Sequence, residues 1–161
     1  EWAGEMTSKQ AWDTCGRGDW MLFFAKMQGV DIKLLTLVKV RCAKLVEYLM
    51  EDYRSINAIG VAEKFALGEA TIEELDVAEA AAADTYAASD AATVFAYASA
   101  LAAANTAANA NAYAYAALAA AVAAAIANYA AYKDSRKNTL KQCADICREI
   151  IDFELLNLDN K

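Results

Sequence analysis

The feature that most narrows what this chain can fold into is the run from Ala78 to Ala131, where 31 of 54 residues are alanine and none is Gly, Pro, Lys or Arg. Alanine loses no side-chain rotamer freedom on entering a helix, so the run predicts helix more strongly than any other stretch. One unbroken helix of that length would span roughly 80 Å, against about 30 Å for a globule of this size. The run is therefore expected to fold back on itself. The expected reversal is the polar patch from Asn105 to Asn111, because Asn and Thr side chains bond the local backbone in competition with helix. Larger residues recur at helical spacing on both sides: Tyr86, Asp90, Val94, Tyr97 and Leu101 before it, and Tyr115, Leu118, Val122, Ile126, Tyr129 and Tyr132 after it. The two stripes are expected to face each other in an antiparallel hairpin, held close by the alanines around them. Alanine buries little apolar area, so the bulky core must come from elsewhere in the chain.

Proline is absent, the six glycines end at Gly68, and no short alternating runs bounded by turn residues suggest strands. The fold class expected is all-α: a single domain over 1–161, built as a bundle of about seven helices. Residues 1–68 supply the bulky-core helices, 69–137 the alanine-rich hairpin, and 138–161 a closing helix and tail. A first helix over Ser8–Cys15 stops at Gly16 and Gly18. Asp19 is expected to cap a second, with Trp20, Phe23, Phe24 and Met27 facing the core and Gly29 ending it. Asp31 caps a third, reaching about Met50, whose stripe is Leu34, Leu35, Val38, Cys42, Leu45, Val46 and Leu49. Lys33, Lys39, Arg41 and Lys44 take its other sides. A fourth, from about Asp52 to Leu67, buries Ile56, Ile59, Phe65 and Tyr53 and stops at Gly68. Thr71 with Glu74 forms a capping box at the start of the hairpin, and Thr139 with Gln142 a second, opening a last helix with the stripe Leu140, Cys143, Cys147, Ile150 and Ile151.

The net charge of −7 sits in one place. Between Phe65 and Tyr132 there is no Lys or Arg but seven acids: Glu69, Glu73, Glu74, Asp76, Glu79, Asp84 and Asp90. Such a segment repels nucleic acid and suits a basic partner, or else serves as a solvated helix start whose acids complement the helix dipole. No stretch is leucine- and isoleucine-rich enough for a membrane span, so a soluble protein is expected, and cysteines read as free buried thiols suit a reducing cytoplasm.

Histidine is absent, which removes the commonest general base and metal ligand together. Cys15, Cys42, Cys143 and Cys147 form no Cys-x-x-Cys pair, so they read as buried hydrophobes rather than a metal site. Gly16-Arg17-Gly18 lacks the strand and the Gly-Lys-Ser/Thr ending of a phosphate loop. Thr71, Thr85, Thr93 and Thr106 are 14, 8 and 13 residues apart, which scatters them around a helix and argues against an ice-binding face. No enzyme, metal or cofactor is expected.

Three segments resemble a known family: Ala11-Trp12-Asp13-Thr14-Cys15 with Arg17-Gly18-Asp19-Trp20-Met21-Leu22; Ala62-Glu63-Lys64-Phe65-Ala66 with Gly68-Glu69-Ala70-Thr71 and Glu73-Glu74; and Thr139-Leu140 with Cys143-Ala144-Asp145-Ile146. In order and across nearly the whole chain they are similar to the immunity proteins of bacterial polymorphic toxin systems, the fifth of the numbered immunity families. The resemblance implies an all-α protein that binds and neutralises a toxin. The same motif residues also have structural roles, as core anchors (Trp12, Trp20) and as helix stops and starts (Gly68, Thr71).

Three readings stay open. The first is an inhibitory protein whose Glu69, Glu73, Glu74, Asp76, Glu79 and Asp84 meet a basic toxin or other effector. The second is a phage or mobile-element anti-defence protein holding a small anionic signalling nucleotide with Arg17, Trp20, Lys39, Arg41, Arg136, Lys137 and Arg148. The third is an oligomeric helical scaffold in which the alanine hairpin packs on a copy of itself. None involves nucleic acid or a membrane.

Overall fold

A computed structural model describes residues 6–83, 96, 98–100, 102–103 and 110–158, without the side chains of 110–115 and 129. The described residues are all-helical and contain no strand, as an all-α chain should. Seven α-helices are bounded among them: α1 Ser8–Thr14, α2 Gly18–Met27, α3 Ile32–Lys44, α4 Tyr53–Leu67, α5 Ile72–Ala83, α6 Ala110–Ala127 and α7 Tyr132–Ile150. Short 3₁₀ turns lie at Glu47–Leu49, Tyr129–Ala131 and Phe153–Leu156.

The caps explain most of the boundaries. Thr7 and Gln10 form a reciprocal capping box at α1, with the Gln10 N–H donating to Thr7 Oγ1 at 3.2 Å and the Thr7 N–H to Gln10 Oε1 at 2.9 Å. Asp31 accepts from the Lys33 and Leu34 N–H groups at the start of α3, and Asp52 accepts from that of Arg54 at the start of α4. Gly68 ends α4 at φ +80°, a left-handed conformation that a Cβ would disfavour. The Thr71–Glu74 box is formed at 2.8 and 3.2 Å.

Four boundaries and faces differ from the sequence reading. α3 stops at Lys44 rather than near Met50, because the N–H groups of Leu45 and Val46 turn to carbonyls three residues back, Cys42 and Ala43, and tighten the chain. α7 begins at Tyr132, so Thr139 lies inside it; its hydroxyl donates to the Ser135 carbonyl at 2.9 Å instead of capping. Asp19 is inside α2, whose N-terminal flanking residue is Arg17, and its carboxylate is taken by the Arg17 side chain. Tyr53 is 75% exposed at the first position of α4, its ring turned to solvent.

The largest reversal is at α2. Its buried residues are Gly18, Asp19, Met21, Leu22 and Ala25, while Trp20, Phe23 and Met27 face outward. Gly18, Met21, Leu22 and Ala25 fall at i, i+3, i+4 and i+7, an apolar stripe of their own with small residues at both ends. Small residues let α2 lie close to α6 and α7, its main neighbours, where the bulkier stripe could not.

Alanine behaves likewise in α6. Ala116, Ala117, Ala119, Ala120, Ala121, Ala123 and Ala125 are buried, while Leu118, Val122 and Ile126 are only partly so. The larger stripe thus lies on the less buried side of α6. α6 packs against α2, α3 and α7, and close approach again favours the smallest side chain. The expected partner stripe (Tyr86, Asp90, Val94, Tyr97, Leu101), the Tyr115 and Tyr129 side chains and the turn at 105–109 lie outside the described residues; Ala110 and Asn111 are already helical. Tyr132 is 39% exposed.

Two clusters fill the interior. One joins α3, α4 and α5 with alanines 96, 100, 103, 120 and 123, so both halves of the alanine run enter the same core as Ile59, Phe65 and Leu75. The other joins α1, α2, α3 and α7 around Trp12, Leu22, Leu35, Val38 and Ile151. No helix among the described residues is long and apolar enough to cross a membrane.

Candidate functional site

Three regions carry the chemistry. The first is the acidic start of the alanine segment. Glu69, Glu73, Glu74 and Asp76 are exposed, and Val77 beside them is 71% exposed. The capping box fixes the direction in which α5 leaves Thr71 and so aims these carboxylates. Glu73 is held below the usual carboxylate range by its own backbone N–H and by the Thr71 hydroxyl, and keeps its charge at neutral pH. Asp84 lies outside the described residues.

Glu79 departs from this set. It is half-buried, and its charge faces Lys39 of α3. Lys39, expected on an outer side of α3, is fully buried. Burial pulls its pKa from 10.5 to about 7, Glu79 opposes that drop, and Lys26 of α2 adds to it. Lys39 and Glu79 are thus tied into the interior, away from any surface ligand.

The second region is the junction of α1, α2 and α7. Arg17 clasps Asp19 through Nε at 2.9 Å and Nη2 at 2.6 Å, and its guanidinium stacks 4.3 Å from the ring centre of Trp20. Trp20 forms one wall of a cavity of about 250 Å³, shared with Trp12, Cys15, Met21, Phe24 and Leu158. Below it, Arg148 Nη1 donates to the carbonyls of Trp12 and Cys15 at 3.0 and 2.8 Å, and Nη2 to Asp145 at 2.6 Å. These bonds satisfy carbonyls at the C-terminal end of α1, which has no turn to follow it. Of the ligand-binding residues read from the sequence, the fold brings together Arg17 and Trp20, with Arg148 at the same junction. Arg41 is exposed on α3, and Arg136 and Lys137 lie on the first half of α7.

The third region is the thiols. All four cysteines are free, buried and in one cluster. Burial pushes the Cys42 and Cys147 thiols well up, and the Cys143 thiol adds to the rise at Cys42, so both remain protonated. Cys147 Sγ donates to the Gly18 carbonyl at 3.8 Å and Cys15 Sγ to that of Arg17 at 3.7 Å, both at the closely packed start of α2. No group of three or more Cys, Asp or Glu among the described residues could hold a metal ion.

Sequence reasoning missed the cavity, because it placed Trp20 and Phe24 against the core. The signal available was that α2 carries apolar residues all round, more than one buried face can use. In comparisons with known proteins, no family model, no curated protein and no solved structure matches the chain.

Proposed function

We propose that the chain is a non-enzymatic binding protein that neutralises a basic protein toxin, in the manner of an immunity protein, by covering it with the exposed face of α5 and the Gly68–Thr71 approach. The observation that carries this reading is that Glu69, Glu73, Glu74 and Asp76 are all exposed, with Glu73 and Glu74 one helical turn before the exposed Val77, in a segment without a single Lys or Arg. An apolar contact with a polar rim is how many protein interfaces are built. The charge speeds encounter with a basic partner, and exclusion of water from Val77 holds it. The resemblance of the Trp12, Phe65 and Thr139 segments to the immunity family points the same way.

The test pairs the purified protein with the product of its neighbouring gene in calorimetric titrations at 50 and 300 mM salt. Binding is expected to weaken with salt, and the Glu69→Lys, Glu73→Lys, Asp76→Lys triple variant is expected to lose at least about tenfold, or 1.4 kcal/mol. A triple variant that folds normally and binds with unchanged affinity refutes the surface assignment.

A further inference from the structure

The cavity at the junction of α1 and α2 belongs to no part of the acidic face and has its own chemistry. Its walls are almost entirely apolar: Trp12 and Cys15 from the end of α1, Trp20, Met21 and Phe24 from α2, and Leu158 from the C-terminal segment. At about 250 Å³ it exceeds the roughly 150 Å³ of an engineered cavity that admits benzene. It is therefore large enough for one or two fused rings. Its aromatic walls suit a planar occupant, which can pack against Trp and Phe rings in offset or edge-to-face contact.

Donors stand beside it. The Trp12 indole N–H has no acceptor among the described residues and reaches solvent, since Thr36 Oγ1 is the one enclosed side-chain polar atom there without a partner. The Trp20 indole N–H has none there either. Arg17 spends Nε and Nη2 on Asp19 and leaves Nη1 unused while its guanidinium lies over Trp20. No carboxylate lines the cavity. Apolar rings inside, with solvent-facing indole N–H groups in the wall and the cationic Arg17 against the Trp20 ring beside them, describe a complementary molecule: flat and apolar at one end, with an anionic oxygen acceptor at the other.

We infer that this cavity binds a small aromatic carboxylate of one or two rings, and that Trp12, Trp20 and Arg17 orient it. The site stands independently of the acidic-face reading. Its occupant inserts its rings between Trp20, Phe24 and Met21 and turns its carboxylate to the indole N–H groups and Arg17 Nη1. The stacked Arg17–Asp19 pair keeps Trp20 upright before the ligand arrives, which lowers the ordering cost of binding.

The test uses the full chain labelled with ¹⁵N and titrated with 2-naphthoate, following the indole N–H resonances of Trp12 and Trp20. Both signals should move along one saturable curve, and the neutral ring analogue 2-naphthalenemethanol should bind at least tenfold more weakly. Ala11→Phe and Ser8→Phe, each placing a ring in the cavity from α1, should abolish the shifts while leaving the far-ultraviolet circular dichroism unchanged. If either filled variant still shifts like the parent, or if 2-naphthoate moves neither signal, the site is refuted. Equal binding of the neutral analogue removes the carboxylate from the assignment. If the ring compounds fail and a tryptophan-bearing helical peptide shifts both signals instead, the cavity is a protein anchor point and the small-molecule site is overturned.

Discussion

Gly18 lies so close to Cys143 that a Cβ on the glycine would come within 2.4 Å of the Cβ of Cys143 and within 2.7 Å of the Ala144 backbone nitrogen. The contact is therefore between the backbone of α2 and α7, and no rotamer change can relieve it. Gly18→Ala is expected to lose at least about 2 kcal/mol in urea unfolding, since overpacking against backbone forces the helices apart. Gly60→Ala supplies the opposite sign. Gly60 is in mid-helix with nothing within 4 Å of a built Cβ, and alanine there should add about 0.5–1 kcal/mol.

Arg148 acts at the other end of the same junction. Its Nη1 group bonds two carbonyls of α1, Trp12 and Cys15, from 136 and 133 residues away in sequence. Arg148→Met keeps much of the aliphatic stem but takes the charged donor from those carbonyls and leaves Asp145 with Lys141 alone. A loss of about 1.5–3 kcal/mol is expected, the range for hydrogen bonds to charged groups. Because α1 is only seven residues long and leans on this clamp, its amides should lose hydrogen-exchange protection before those of α3 or α4.

What could be read from the sequence follows from which interactions are local. The Thr71–Glu74 box, the Asp31 cap and the Gly68 stop each involve residues within a few positions of one another, so their spacing alone identified them. Thr139 with Gln142 carries the same signature and is not a cap, because the helix that begins at Tyr132 has already satisfied that stretch of backbone. The buried faces of α2 and α6 depend on how near two helices can come. There the usual preference for burying the bulkiest residue gives way to the smallest: Gly18 and Ala25 in α2, the alanines in α6. Lys39 looked solvated because its counter-charge, Glu79, is 40 positions away. The acidic face was visible as composition; the cavity was not, because Leu158, far along the chain from Trp12 and Trp20, helps to enclose it.

The inverted face of α2 can be checked by a pair of substitutions on opposite sides. Leu22 is wholly buried, and Met27, five residues on, is 63% exposed. Leu22→Ala should lose about 2–5 kcal/mol through lost transfer energy and the cavity left behind. Met27→Gln should change stability by less than about 0.5 kcal/mol, as exposed substitutions do. The reverse ranking, measured by urea unfolding, would mean that the bulkier stripe packs inward after all.

Lys39 makes stability depend on pH in a direction opposite to that of a lysine gaining a surface partner. In the folded chain its pKa falls to about 7 from 10.5, so between those values the unfolded chain binds a proton that the folded chain does not. Unfolding then takes up a proton, and stability rises with pH across the window, by at most about 1.4 kcal/mol per pH unit. Below pH 7 both states carry the charge, and the full penalty of burying it persists. Lys39→Met replaces the ammonium with an unbranched apolar chain of similar length, and Glu79, only half-buried, can still turn to water. The variant should be more stable than the parent near pH 7, by about 1–4 kcal/mol, with the difference shrinking steadily toward pH 10. Urea midpoints taken at each pH from 6 to 10 measure this directly; parallel profiles for parent and variant would show that Lys39 does not titrate in the interior.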